Sequence, residues 1–269
     1  MTDWLARCRT ARDDVRRVLE QLPARADREP VVGAGLGGDE TTAIDRAAED
    51  AILGHFRDLD GITIVSEEVG SLGSGSTRVV IDPIDGSLNA KRGIPFFALS
   101  IAIADGERMG DVHFGYVFDF GSGEEWTALR GEGAFLDGAR LGDERPKDRI
   151  EILSFEATRT SLVAEQVPGV VELAYRLRIM GSLAISLCHL AAGRVDAVCS
   201  LKAARSVDIA AAQLLVRECG LTIDLPEDPP FADAPLDVEG RSRVVAAGTD
   251  EVCRQLAAAL GVASGSSAS

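Results

Sequence analysis

Trp4, Leu5, Cys8, Ala11, Val15, Val18, Leu19 and Leu22 recur at three- and four-residue spacing with Arg, Asp and Glu between them. Such a stripe predicts an amphipathic helix ending at Pro23. A Gly-rich stretch, Gly33 to Gly38, reads as a mobile loop. Thr42, with Asp45 three residues on, then caps a second helix whose apolar face is Ile44, Ala47, Ala48, Ala51, Ile52 and Phe56. Short β-rich runs follow. Ile62 to Val65 stops at Ser66, Glu67 and Glu68, Val79 to Ile81 stops at Asp82, and Phe96 to Ala104 and Asp111 to Phe118 flank a turn at Asp105 and Gly106. With a further hairpin at Ala134 and Phe135, this part predicts helices on an antiparallel or mixed sheet, an α+β arrangement.

The polar stretch Gly142 to Arg149, containing Pro146, marks the expected boundary between an N-terminal lobe, 1–145, and a second lobe, 146–262. Beyond it the rhythm changes to strand and helix in alternation. Strands are expected at Ile150 to Phe155, Arg178 to Met180, Ala197 to Cys199, Leu221 to Ile223 and Val244 to Ala247. Helices are expected around Gly169 to Arg176, from Ser182 to Gly193 and from Ser206 to Cys219. This lobe reads as α/β. Residues 263–269 are small and polar, a flexible tail.

Composition narrows the partners. With 269 residues and 46% hydrophobic, the chain is long enough to bury a sizeable core. Forty-three acids against 28 bases leave a net charge of −15, which argues against nucleic acid, whose binding needs Lys and Arg to displace counterions. Only Lys91, Lys147 and Lys202 are lysines; adaptation to salt and a base-composition bias toward Arg explain this equally well. Five widely spaced cysteines without a Cys-x-x-Cys pair fit a reducing compartment, and no apolar run is long enough to span a bilayer. A cytoplasmic protein with no membrane partner is expected.

The candidate chemistry lies in Asp82-Pro83-Ile84-Asp85-Gly86-Ser87. A strand delivers Asp82, and Asp85 returns to the same side three residues later, while Gly86 permits close backbone approach. Two ionised carboxylates about 4 Å apart repel by about 4 kcal/mol at an effective dielectric near 20, so the pair needs cations or must take up protons. Oxygen-only clusters of this kind suit hard ions such as Mg²⁺. A bare Asp-x-x-Asp more often caps a turn, and Asp208 alone more often faces a helix dipole. Glu67 and Glu68 at one strand end and Asp208 in the first turn of a helix change that balance. His55, His113 and His189 lie far apart and read as core or surface residues, not as zinc ligands.

Taken in order, Thr42 to Asp45, Glu67-Glu68, Asp82 to Asn89, Gly93 to Phe96, Gly181-Ser182 and Val207 to Ala211 resemble the motifs of the inositol monophosphatase superfamily. The chain resembles in particular the archaeal-type branch, which hydrolyses inositol 1-phosphate and fructose 1,6-bisphosphate. That resemblance implies a layered αβαβα sugar-phosphatase fold of two lobes, two or three Mg²⁺ ions, lithium sensitivity and a homodimer. It assigns Glu67, Asp82 and the carbonyl of Ile84 to one ion, and Asp82, Asp85 and Asp208 to another. A third, looser ion would sit near Glu67. The N–H groups of Gly86 and Ser87 would hold phosphate, with Gly181 and Ser182 beside them. Ser87 and Asp45 would orient the attacking water as the catalytic pair.

Two departures concern the substrate. Some relatives carry a lysine in the mobile loop where this chain has Ala34 or a neighbour, and an acid for inositol hydroxyls where it has Ser200 or Leu201. Lys91, Arg92, Arg176, Arg178, Lys202 and Arg205 are instead available to a second phosphate, with Arg178, Lys202 and Arg205 the chosen candidates; each is otherwise a solvated charge. The expected activity is Mg²⁺-dependent hydrolysis of small sugar phosphates. Its rivals are a nucleotidase acting on 3′-phosphoadenosine 5′-phosphate and a catalytically silent regulatory relative that binds metal.

Overall fold

The computed structural model describes residues 3–34, 40–147, 149–156, 159–227 and 230–261. The glycines at 35, 37 and 38 and the tail at 263–269 lie outside the described residues. In chain order the elements are α1 (Trp4–Gln21), α2 (Arg25–Arg28), β1 (Val31–Ala34), β2 (Glu40–Thr42), α3 (Ala43–Leu53), β3 (Ile62–Ser66), β4 (Gly70–Gly73), β5 (Thr77–Asp85) and α4 (Ser87–Arg92). Then come β6 (Ala98–Ala104), β7 (Val112–Asp119), β8 (Glu125–Leu129), β9 (Gly133–Leu136) and β10 (Ala139–Arg140). The remainder comprises β11 (Ile150–Glu156), α5 (Thr160–Val170), β12 (Ala174–Arg178), α6 (Leu183–Ala191), β13 (Ala197–Ser200), α7 (Ser206–Glu218), β14 (Thr222–Asp224), β15 (Val245–Ala247) and α8 (Asp250–Ala259).

These elements stack in alternating layers of helix and sheet. An eight-stranded mixed sheet runs β10-β9-β8-β7-β6-β5-β3-β4, with β3 and β5 parallel. One face packs on α1 and α3, where Cys8, Ala11, Val15, Ile44, Ala48 and Ile52 meet Ile64, Val79, Ile81, Leu99, Ile101, Phe114 and Tyr116. The opposite face packs on α6 and α7. Gly115 lets α7 lie close, because a Cβ there would come within 2.6 Å of the Ala211 carbonyl oxygen. Beyond those two helices is a five-stranded sheet, β12-β11-β13-β15-β14, and α5 and α8 cover its far side with Val170, Val252, Cys253 and Leu256. The chain leaves one sheet after Arg140 and enters the other at Ile150, while α6 and α7 bury side chains against both. Apolar patterning explains the layering: α6 and α7 are buried almost all round, as a helix between two sheets must be.

One stretch differs from the pattern read in the sequence. Gly169 to Arg176 is not a helix, and Arg178 to Met180 is not the strand. Helix α5 ends at Val170 and β12 occupies Ala174–Arg178, parallel to β11. Leu162, Val163, Val167 and Val170 carry the helical stripe onto the core. Pairing with β11 decides the conformation of the half-exposed run that follows, a tertiary effect that local pattern does not carry. Helix α8, with Thr249 capping Val252, extends beyond the last expected strand. The five cysteines are buried and free. Among the described residues, no helix is long and apolar enough to cross a membrane.

Candidate active site

Residues three apart on a regular strand point to opposite faces, so Asp82 and Asp85 need a device to meet. A bulge in β5 supplies it: Asp82 pairs with Ser100 and Asp85 with Ala98, four residues of β5 opposing three of β6. Ser100 and Ala98 share a face, and so do the two aspartates. Pro83, which cannot donate to a ladder, sits inside this irregularity. Gly86 follows with φ +94, where a Cβ would press on the carbonyl oxygens of Gly181 and Phe96 at 3.0 and 3.1 Å. That conformation turns the chain into α4 with Ser87 as its first residue.

Four elements bring their acids to one cavity of about 380 Å³. Glu67 comes from the turn after β3, Asp82 and Asp85 from β5, Asp208 from the first turn of α7, and Glu156 from the end of β11. Ile84, Gly86, Ser87, Gly181, Lys202 and Arg205 also line it. Each acid is held by local donors. Asp82 Oδ1 accepts from the Ile84 N–H at 3.0 Å, and Asp85 Oδ2 accepts from the Ser182 hydroxyl and the Ala184 N–H, both at 2.6 Å. Asp208 Oδ2 accepts from the Arg205 N–H at 2.7 Å, closing the cap of α7. The Ser87 hydroxyl donates to the Ile84 carbonyl at 2.9 Å.

Burial and mutual repulsion dominate the electrostatics. Loss of water pushes the Glu67 carboxyl up to about 7, with Asp208 adding to the rise and Arg205 opposing it. Asp82 is raised well above the ordinary carboxylate range by burial and then by Glu67, Asp85 and Asp208. Asp85 is pushed up to about 7 by burial, although Ser182 and Ala184 offset part of it. A buried, oxygen-only, mutually repelling donor set is what a hard divalent cation neutralises, so the residues fit Mg²⁺. Arg205 is the cation they hold now: its Nη2 lies 2.5 Å from Glu67 Oε1 and 3.1 Å from Asp208 Oδ1. As they stand, no three His, Cys, Asp or Glu side chains among the described residues converge on a single ion position.

Other residues singled out in the sequence lie further from this wall. Asp45 is buried at the cap of α3, where Oδ2 accepts from the Thr42 hydroxyl at 2.5 Å and pairs with Lys91 at 3.1 Å. Its Oδ1 is buried without a hydrogen-bond partner. Lys91 lies one helical turn beyond Ser87 on α4, so Asp45 is linked to the cavity through that helix and does not line it. Arg178 is not brought to the cavity either. It ends edge strand β12, exposed, with Nη1 donating to the Leu177 carbonyl at 2.9 Å. His55 and His113 each face a single aspartate, and His189 packs on Phe96 and Trp126.

Two site residues carry no motif. Glu156 accepts from the hydroxyls of Ser154 and Ser186 at 2.8 and 2.7 Å and from the Gly181 N–H at 2.8 Å, fixing the Gly181-Ser182 turn. Its signal was an acid at a strand end, the same signal that marked Asp82. Arg241 reaches the cavity from an irregular segment before β15, which periodicity cannot locate.

The sequence matches the profile of the Inositol monophosphatase family over residues 9–261. A fructose-1,6-bisphosphatase/inositol-1-monophosphatase of Thermococcus kodakarensis is 39% identical over 191 residues, 70% of this chain and 71% of that protein. The Nus factor SuhB of Pasteurella multocida is 37% identical over 191 residues, 68% and 70% of the two chains. The crystal structure of an inositol monophosphatase-fructose 1,6-bisphosphatase superposes with a TM-score of 0.84 at 26% identity, covering 96% of this chain and all of the other. The chain belongs to the inositol monophosphatase family of phosphoric monoester hydrolases.

Proposed function

We propose that this chain hydrolyses small sugar phosphates, fructose 1,6-bisphosphate and inositol 1-phosphate, in a Mg²⁺-dependent reaction. The observation that carries this reading is the convergence of Glu67, Asp82, Asp85 and Asp208 on one cavity whose wall also holds Lys202, Arg205 and Arg241. Acids select the cation and bases the anionic substrate. The names of the similar proteins support the same substrates. Glu67, Asp82, Asp85, Asp208 and the Ile84 carbonyl would hold two ions, with a third near Glu67. Mg²⁺ bound by these oxygens neutralises phosphate oxygens and makes water more acidic.

The chain's own groups do the rest. The N–H groups of Gly86 and Ser87 donate to phosphate oxygens at the start of α4, with Gly181 and Ser182 opposite. The Ser87 hydroxyl, now on Ile84, orients a water for in-line attack. Asp45, ion-paired with Lys91 on the helix that Ser87 starts, is its partner in orienting that water. Lys202 and Arg241 face the far end of the substrate and suit a second phosphate. The reading extends to a cytoplasmic homodimer with lobes at 1–145 and 146–262, inhibited by Li⁺.

The test is a phosphate-release panel with Mg²⁺, with and without Li⁺. Fructose 1,6-bisphosphate, inositol 1-phosphate, 3′-phosphoadenosine 5′-phosphate and NADP would be compared at equal concentration. Li⁺-sensitive release from the first two is expected. Preferential release from the nucleotides overturns the substrate assignment, although no aromatic side chain among the described residues lines the cavity to stack a base. No release from any of them favours a regulatory role of the kind the name Nus factor implies for the similar SuhB.

A further inference from the structure

The Arg205 guanidinium is wedged between the acids. Its side chain is 11% exposed, Nη2 spans Glu67 Oε1 at 2.5 Å and Asp208 Oδ1 at 3.1 Å, and Nε also donates to Asp208 Oδ1 at 3.3 Å. With Asp208 Oδ2 taken by the Arg205 N–H, both oxygens of Asp208 are committed to one residue. Nη1 is buried without a partner, so the guanidinium is held at a cost. Among the described residues, no three acids converge on one ion position.

We infer that Arg205 is a resident counter-cation, which holds the acids together in the metal-free protein and is displaced when Mg²⁺ enters, making the two ions bind cooperatively. The inference rests on the reading of Glu67 and Asp208 as Mg²⁺ ligands. Those two acids belong to different ion sites in that reading, and Arg205 clamps one from each. Either ion must therefore break a clamp whose opening also frees a ligand of the other. Two divalent ions sharing Asp82 would repel, so without such a clamp they would bind independently or with negative cooperativity. A charge removed from a buried acidic cluster leaves repulsion uncompensated, so the same residue stabilises the metal-free fold.

Calorimetric Mg²⁺ titration at pH 8 of the wild-type chain, Arg205→Gln and Asp82→Asn tests this, together with the metal-free melting temperature. For the wild type a Hill coefficient above one is expected. Arg205→Gln should bind Mg²⁺ about tenfold or more tightly with a coefficient of one or below, and melt about 4 °C or more lower in EDTA. Equal or weaker Mg²⁺ binding by Arg205→Gln overturns the inference while leaving the metal reading intact, provided that Asp82→Asn abolishes the wild-type isotherm. No isotherm in either the wild type or Arg205→Gln overturns both. Should Arg205→Gln fail to fold, the wild-type chain answers alone. The Nε–H resonance of Arg205, identified by its loss in Arg205→Lys, should shift in step with Mg²⁺ binding, and a resonance unmoved at saturation overturns the inference.

Discussion

The Ser182 hydroxyl donates to Asp85 Oδ2 at 2.6 Å across 97 residues of chain. Ser182 also caps α6 through the Ile185 N–H, so one side chain fixes a helix start in the shared layer and an acid on the bulge of β5. Replacing it with Ala removes both bonds. Ser182→Ala should lose about 1–2 kcal/mol of stability and bind Mg²⁺ more weakly at neutral pH, because Asp85 then ionises less readily. Denaturant unfolding and a Mg²⁺ isotherm measure the two effects; unchanged affinity would separate Ser182 from the metal site.

Acidity should tune the metal-free protein in a defined direction. Glu67 and Asp85 are held up to about 7, and Asp82 well above the ordinary range, by burial and by their neighbours' charges. A carboxyl whose folded pKa is raised stabilises the fold fully below its unfolded value and loses that contribution as pH rises through the folded value. In EDTA the melting temperature should therefore fall between pH 5 and pH 8 by way of these groups. Saturating Mg²⁺, which binds the ionised acids, should flatten or reverse the trend. Scanning calorimetry across that window measures it, and a rise in EDTA would contradict the assignment.

Asp45 separates catalysis from metal binding. It does not line the cavity and is tied to Lys91 and Thr42. Asp45→Asn should lower kcat by about 10²-fold or more, because the attacking water loses its orientation, while KM and the Mg²⁺ isotherm change little. Steady-state kinetics at saturating Mg²⁺ decides; a variant that loses metal affinity instead would make Asp45 a ligand.

The cationic wall makes a substrate-specific prediction. Lys202 and Arg241 line the cavity with Arg205, and charge-assisted hydrogen bonds contribute about 1.5–3 kcal/mol each. Arg241→Ala should raise KM for fructose 1,6-bisphosphate by about tenfold or more and leave inositol 1-phosphate nearly unaffected. Equal losses on both substrates would place Arg241 at the reacting phosphate.

Much of this site was legible in the sequence because it is built from contiguous motifs at element ends. Glu67, Asp82, Asp85, Gly86, Ser87 and Asp208 all reach one cavity, since each sits where a strand stops or a helix starts. The bulge that aims Asp82 and Asp85 to one side was not legible, because it is a property of β5 against β6. Glu156 and Arg241 were missed for a related reason: their roles depend on the five-stranded sheet meeting the shared helices. In the fold, most helices and strands followed from periodicity, and their stacking in layers was an implication of the resemblance. Ala174 to Arg178 did not, because pairing with β11 decides between two local patterns there, and α8 was not anticipated.

Asp85 carries the central claim, since it stands on the bulge, faces Ser182 and is raised by burial and then by its acidic neighbours. Phosphate release from fructose 1,6-bisphosphate and inositol 1-phosphate, measured against Mg²⁺ concentration for the wild-type chain and Asp85→Asn, tests it most directly. Saturable Mg²⁺-dependent release that disappears in Asp85→Asn, with melting temperature in EDTA kept or raised, is the predicted result. Full Mg²⁺-dependent activity in Asp85→Asn would contradict the account.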